Sequence, residues 1–311
     1  MRVVTGLPAP VPMSGTAVTV GTFDGVHVGH RALIGRTVAA GRAAGAESAV
    51  VTWDRHPAAT LRPDAVPALL TTQRRKLELL AETGVDWCVV LAFDTELSRW
   101  PPERFATEVL ARGLGARSVV VSTGWRFGRR ATGDVALLES LGRRLDFRVD
   151  VGPLVTVEGG EVSSSRVRAA VAAGDLRLAS ALLGRPHELP GTVVAGDGRG
   201  ASLGYPTANL DVDGGLAGPP TGIYACRARL EDRTVSAAVS VGVNPTFGGE
   251  PGRSPVRVEA YLLGFEGDLY GRRLTLELVD RLRDERRFDS TDALIAQMTR
   301  DVEATQRLIG R

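Results

Sequence analysis

The sequence predicts an α/β domain built on a parallel sheet, followed by a small antiparallel β-barrel that ends in a helix. Three observations carry this expectation. At 311 residues with 43% hydrophobic content, the chain is long enough to bury two cores of ordinary domain size. Over the first half, short β-branched runs alternate with segments of helical period. From about Pro190 the texture changes to strand-like runs separated by glycine and proline clusters.

In the first half, "TAVTVG" precedes "RALIGRTVAAGRAAGA" and "ESAVVTW" precedes "TTQRRKLELLAETG". "DWCVVLAF" then precedes "PPERFATEVLARGLG", and "RSVVVS" precedes "DVALLESLGRRL". Such a βαβ series implies a parallel sheet covered on both faces, which binds ligands at the carboxyl ends of its strands. The segment "SSSRVRAAVAAGDLRLASALLGRPHEL" reads as two short connecting helices, the first capped by a serine. Beyond it, "GTVVAGDGRG", "GIYACRARL", "TVSAAVSVGV", "VRVEAYLLGF" and "RRLTLELVDRL" read as strands, and "STDALIAQMTRDVEATQRLIG" as the closing helix. The expected division is 1–182 and 183–311.

Charge excludes some partners. With 38 basic and 36 acidic side chains the formal net charge is +2, so no global field recruits nucleic acid or an anionic membrane. Any anion must be held locally. The opening "MRVVTGLPAPVPM" lacks the apolar stretch of a secretory leader, and no run of about 18 apolar residues occurs, so a cytoplasmic protein is expected. Cys88 and Cys226 lie inside apolar runs and read as reduced core residues. Oligomeric state is left open.

The stretch "VGTFDGVHVGH" closes the first predicted strand. A strand ending at Gly21 and a turn through Asp24 and Gly25 let a helix start near Gly29, aiming its free N–H groups at whatever sits there. His27 and His30, three apart, point at the same anion, and Gly29 removes a side chain that would block its approach. Preorganised imidazole and backbone donors stabilise charge on a phosphate under attack without covalent participation. The same pattern also occurs in ordinary tight loops. In the second half, Gly196, Gly198 and Gly200 form a turn able to cradle phosphates, followed by Thr207 and Asn209 on one face of a short strand. Taken alone, Glu259 reads as a solvent-facing strand residue, Ser164 and Arg166 as the start of a surface helix, and Arg126 and Arg129 as a solvated basic face.

Several motifs together resemble one family. "GTFDGVHVGH", "LLTTQRRKLELLAETGVD", "RFGRRATGD" and "SSSRVRAA" are similar to the adenylyltransferase module of bacterial bifunctional riboflavin kinase/FAD synthetases. "LLGRPHELPGTVVAGDGRGASLGYPTANL", "VGVNPTFGG", "VEAYLLGFEGDLYG" and "RLRDERRFDS" resemble its riboflavin kinase module, in order and spacing. The resemblance implies a Rossmann-like nucleotidylyltransferase domain and a kinase barrel. It implies ATP as co-substrate, FMN and FAD as products, and Mg²⁺ in both reactions. His27 and His30 would then hold the ATP phosphates, with Gly21, Phe23, Asp24 and Gly29 shaping the loop and Ser164 and Arg166 gripping phosphate. Thr207 and Asn209 would bind Mg²⁺ and phosphates, and Glu259 would act as general base. The chain departs from the family's usual residues at Ser122, Gly124, Trp125, Trp53, Arg55, Tyr261 and Gly264, all around the expected flavin and nucleotide sites. The alternatives are a kinase-only paralogue and a non-catalytic flavin or nucleotide sensor; retention of Glu259, Asn209, His27 and His30 argues against the sensor.

Overall fold

The computed structural model describes residues 1–6, 15–196, 200, 203–243 and 256–310. Their contacts divide the chain into two compact units, Met1–Ser164 and Ser165–Arg311. Past its first residue, the connecting helix Ser164–Ala173 therefore groups with the second unit, as does Leu176–Leu183.

The first unit holds a six-stranded sheet of β1 (Arg2–Thr5), β2 (Thr16–Val20), β3 (Glu47–Trp53), β4 (Trp87–Leu91), β5 (Ala116–Ser122) and β6 (Arg148–Gly152). The spatial order is β1-β4-β3-β2-β5-β6 and every pairing is parallel. Side chains alternate between two buried layers, as the period of two requires. Ala49, Val51, Val89 and Leu91 face Phe105, Leu110 and Leu138, whereas Val50, Cys88 and Val90 face Ile34, Val38, Leu79 and Leu80. Helices α1 (Val28–Ala43) and Gln73–Ala81 cover the second layer, and Val135–Leu145 covers the first.

Three local features depart from expectation. Strand β1 was not anticipated because "RVVT" is short and largely exposed; it is recruited by its ladder to β4. Strand β6, "RVDVG", interrupts its apolar residues with charges, as befits the opposite edge. The expected "PPERFATEVLARGLG" helix is a short α-turn, Pro102–Phe105, that widens into a π-helical stretch, Ala106–Gly113. A two-stranded ribbon, β7 (Thr156–Val157) and β8 (Gly160–Glu161), follows the sheet.

In the second unit β9 (His187–Val194), β10 (Ala208–Val212), β11 (Gly222–Arg229), β12 (Thr234–Val243), β13 (Val256–Leu262) and β14 (Arg273–Arg283) close into an antiparallel barrel. Its interior takes alternate residues such as Tyr224, Cys226 and Ala228 of β11 and Leu274, Leu276 and Leu278 of β14. The helix Thr291–Ile309, capped by the Ser290 hydroxyl, packs across β11, β12 and β14. Cys88 and Cys226 are free and buried. Among the described residues, no helix is long and apolar enough to cross a membrane.

Candidate active sites

Strand β2 stops at Val20 and the chain turns at once. Phe23 (φ 50°), Gly25 (φ 81°) and Val26 (φ 40°) all adopt left-handed backbone, a conformation that costs a non-glycine residue about 1 kcal/mol or more. Buried contacts hold it. Phe23 and Val26 insert into the layer around Ile34 and Val50. The buried Asp24 carboxylate accepts the Leu70 N–H at 2.9 Å, the Thr71 N–H at 3.3 Å and the Thr71 hydroxyl at 3.5 Å. The Gly25 N–H donates to the Thr71 hydroxyl, and the Ser164 hydroxyl donates to the Asp24 carbonyl at 3.0 Å.

His27 caps α1, its Nδ1 accepting the His30 N–H at 3.2 Å. With Nδ1 accepting, Nε2 is the nitrogen left to carry a proton. The two imidazoles stack with centroids 3.5 Å apart, and Phe23 meets His30 edge-on at 5.1 Å. A Cβ at Gly29 would press within 3.3 Å of the His27 ring, so glycine permits this packing. Burial, then the neighbouring His27 and Lys76, hold the His30 imidazole well below its ordinary pKa. It is neutral at pH 7, and its buried Nδ1 has no hydrogen-bond partner among the described residues.

His30 faces a cavity of 1110 Å³ at the carboxyl ends of β2, β3 and β5, also lined by Gly21, Thr22, Phe23, Trp53 and Ser122. Chain order reverses here, since β3 and β5 flank β2 on opposite sides. Arg62, Arg99, Arg126, Arg129 and Arg130 line the walls, and among the described lining residues none is acidic. An anion-selective field follows. Trp125 stacks on Phe127 at 4.7 Å and Trp53 meets Phe93 at 5.3 Å, giving the same cavity flat apolar surface.

The second site lies on the outside of the barrel. Val258 and Ala260 belong to the interior, so Glu259 between them points outward. Asn209 of β10 is its neighbour on one side and Ser240 of β12 on the other. Arg257 forms an ion pair with Glu259. A 550 Å³ cavity is bounded by Thr207, Ser240, Glu259 and Tyr261 and by Leu294, Met298 and Asp301 of the terminal helix. Arg283 grips Asp301 through Nε at 3.0 Å and Nη2 at 2.7 Å, and Asp301 also accepts Gln297 Nε2 at 2.9 Å. Tyr205 meets Tyr261 edge-on at 5.2 Å while its hydroxyl contacts Thr299 Oγ1 at 2.8 Å.

Close approach explains two glycines here. A Cβ on Gly196 would lie 1.9 Å from Asn209 Nδ2, and one on Gly200 would lie 2.4 Å from the Tyr205 carbonyl and 3.1 Å from Thr207 Oγ1. The Leu203 and Tyr205 N–H groups close the turn onto the Gly200 carbonyl. Gly198 lies outside the described residues. The donors offered by Thr207 and Asn209 are hydroxyl and amide oxygens, hard ligands that suit Mg²⁺ when phosphates and waters complete its octahedron.

Residues 10–166 match the FAD synthetase family model and residues 183–309 the riboflavin kinase model. A bifunctional riboflavin kinase/FMN adenylyltransferase from Escherichia coli (strain K12) is 33% identical over 100% of this chain and 98% of its own length. One from Pseudomonas fluorescens is 35% identical over 99% and 98%. The chain belongs to the bifunctional riboflavin kinase/FMN adenylyltransferase family. A crystal structure from Streptococcus pneumoniae, described as a macrolide-efflux protein, has a TM-score of 0.89 at 29% identity, covering 98% of this chain and 99% of that one. That description stays with that protein.

Within this bifunctional family framework, the residues anticipated from sequence are not all equally placed. His30, Gly21 and Phe23 line the first cavity, with His27 and Gly29 packed behind and Asp24 turned inward. Ser164 bonds the loop backbone, and Arg166 is a half-buried residue of the helix Ser164–Ala173. Thr207, Gly200 and Glu259 line the second cavity, with Asn209 beside Glu259 and Gly196 against Asn209. Arg126 and Arg129 are exposed, and both stand on the wall of the first cavity. Gly124 has φ 78° with open space where a Cβ would be, a backbone state that asparagine and aspartate also tolerate; this explains how glycine stands there. Arg55 pairs with Asp54 and is exposed. Five residues in contact with these sites are not singled out by the sequence reading: Lys76, Leu70, Thr71, Arg283 and Asp301. Lys76 sits three and four residues before the buried Leu79 and Leu80, a cation on the apolar stripe of its helix, and that spacing was a readable signal. The Asp24 partners Leu70 and Thr71, and the Arg283–Asp301 clasp, join residues far apart in sequence and leave no local trace.

Proposed function

We propose that the cavity beside His30 carries FMN adenylylation and the cavity beside Glu259 carries riboflavin phosphorylation. The chain is a riboflavin kinase and FMN adenylyltransferase: riboflavin and ATP give FMN and ADP, and FMN and ATP give FAD and pyrophosphate. The observation that carries the residue-level reading is that each family-matched segment encloses its own cavity, and each cavity is lined by that segment's motif residues.

In the kinase reaction, Glu259 takes the proton of the flavin 5′-hydroxyl as its oxygen bonds to the ATP γ-phosphorus and the bond to ADP breaks. Thr207 and Asn209 orient the phosphates, and Gly196 and Gly200 let the backbone come close enough to do so. In the second reaction an FMN phosphate oxygen attacks the ATP α-phosphorus in line and pyrophosphate leaves, with no covalent enzyme intermediate. His30, held neutral by burial, donates a hydrogen bond to the charge that builds on the phosphate oxygens. His27 fixes its ring by stacking and caps α1, so the helix N-terminus adds to the same field. The cavity arginines balance the combined charge of two phosphorylated substrates. Thr207 and Asn209 would hold Mg²⁺, which would supply neutralisation of phosphate charge there.

The riboflavin kinase match starting at residue 183 supports a functional division at 182/183, with the helices before it as connectors. A cytoplasmic location fits the substrates, which are the cell's own flavin and ATP. The test is to incubate the purified full chain with riboflavin, ATP and Mg²⁺ and separate the three flavins. FMN and FAD both form, and chelating the metal stops both. Replacing His27 and His30 together by alanine removes FAD formation from FMN and leaves riboflavin phosphorylation intact. Wild-type protein that makes FMN but never FAD overturns the first-site assignment.

A further inference from the structure

One buried cation next to the first cavity has no part in the chemistry above. The Lys76 ammonium, on the helix Gln73–Ala81, donates to the Trp53 carbonyl at 2.9 Å, the Thr52 hydroxyl at 3.3 Å and the Thr22 carbonyl at 3.4 Å. The Thr52 hydroxyl also donates to the Thr22 carbonyl at 3.1 Å, so two donors converge on one oxygen. Thr22 follows β2 and Trp53 ends β3, and both line the cavity, whereas Lys76 does not.

We propose that Lys76 is a positioning residue for adenylyl transfer, its ammonium clamping the carbonyl ends of β2 and β3 and thereby fixing the cavity-lining Thr22 and Trp53. The proposal rests on the assignment of this cavity to FMN adenylylation. Burying a charge is costly, and a residue kept there needs a compensating network. An ammonium has three donors and no acceptor, and three acceptors, two on β3 and one on the turn after β2, satisfy it. A methionine or leucine would fill the space and leave two strand-end carbonyls without this donor. A strand end that shifts by about 1 Å at a reacting centre costs about 10²-fold in rate.

Electrostatics agrees with the geometry. Burial lowers the Lys76 pKa to about 8, against the opposing pull of Asp24 beyond β2, Cys88 in β4 and Asp54 beyond β3. His30, at the start of α1, feels the Lys76 charge in turn and is held neutral partly by it. Above pH 8 the ammonium therefore loses its proton, one of its three donors and its charge. The clamp then loosens.

The test uses the full chain, with riboflavin phosphorylation in the same sample as the internal reference. In Lys76→Met, kcat for FAD formation from FMN falls at least about tenfold while the KM values for FMN and ATP stay within about threefold. Kinase activity is unchanged. The wild-type kcat/KM for FAD formation declines above pH about 8, and Lys76→Met lacks that decline because the titrating group is gone. Should Lys76→Met not fold, the wild-type profile and Thr52→Val decide: removing one acceptor moves the alkaline decline to lower pH. A Lys76→Met enzyme with wild-type FAD formation, a flat wild-type profile or an unmoved decline in Thr52→Val each overturns the proposal. Wild-type protein that forms no FAD from FMN overturns the site assignment itself.

Discussion

Replacing Asp24 by alanine tests whether the turn after β2 is held by that one carboxylate. The substitution leaves the Leu70 and Thr71 N–H groups, now accepted at 2.9 and 3.3 Å, without their charged acceptor in a buried setting. Each buried donor left unsatisfied costs about 1–3 kcal/mol, so the pair costs about 3 kcal/mol taken in the lower half of that range. The affected unit spans Met1–Ser164, and at that size about 1 kcal/mol moves a melting temperature by about 3 °C, giving a drop of about 9 °C. The assay heats the full chain in steps, cools it, and measures FAD formation from FMN and FMN formation from riboflavin on the same aliquots. The adenylylation midpoint falls by about 9 °C while the kinase midpoint holds. A shift below about 2 °C would refute the reasoning, because two orphaned buried N–H groups cannot cost so little. Equal shifts in both midpoints would refute the independence of the two cores.

Three further outcomes follow from named contacts. Glu259→Gln lowers FMN formation about 10²–10⁴-fold with riboflavin affinity nearly unchanged, measured by steady-state kinetics and flavin fluorescence. Gly196→Ala, whose Cβ would intrude to 1.9 Å from Asn209 Nδ2, cuts kinase turnover by about 10²-fold while FAD formation from supplied FMN continues. The first unit loses stability as pH drops from 7 to 5. Between the depressed folded pKa of His30 and its ordinary 6.5, the unfolded chain binds a proton that the folded chain refuses, so unfolding is favoured. Urea titrations at several pH values read this, and His30→Gln flattens the dependence.

What the sequence made legible was whatever repeats or alternates. The four central strands of the sheet and the helices over them carry periods of two and 3.6 in their apolar residues, and those elements were readable. Edge strand β1 escaped because its four residues are mostly exposed, and β6 because Arg148 and Asp150 interrupt its apolar residues. The π-helical stretch escaped because its buried Ala106, Val109 and Leu110 keep the i, i+3, i+4 spacing of an ordinary α-helix. In the site, His27 and His30 were visible as chemistry, yet the helix-capping use of His27 Nδ1 was not, since an imidazole cap requires a side-chain orientation that composition does not encode. Asp24 stood inside the motif, but its bonds reach 46 and 47 residues along the chain. Tertiary partners of that kind belong to packing alone.

The closed barrel sets Asn209, Glu259 and Ser240 shoulder to shoulder on three adjacent strands. Insertion or deletion of a single residue within β13 would rotate Glu259 into the apolar interior and bring Val258 or Ala260 to the outer wall. The same slip in β10 would replace Asn209 with Ala208 or Leu210. A length change within either strand therefore breaks the row unless a bulge absorbs it, as the β11–β14 pairing does at its two register shifts. Point substitutions leave the ladder in place, so the closed register by itself holds the spacing of Asn209, Glu259 and Ser240.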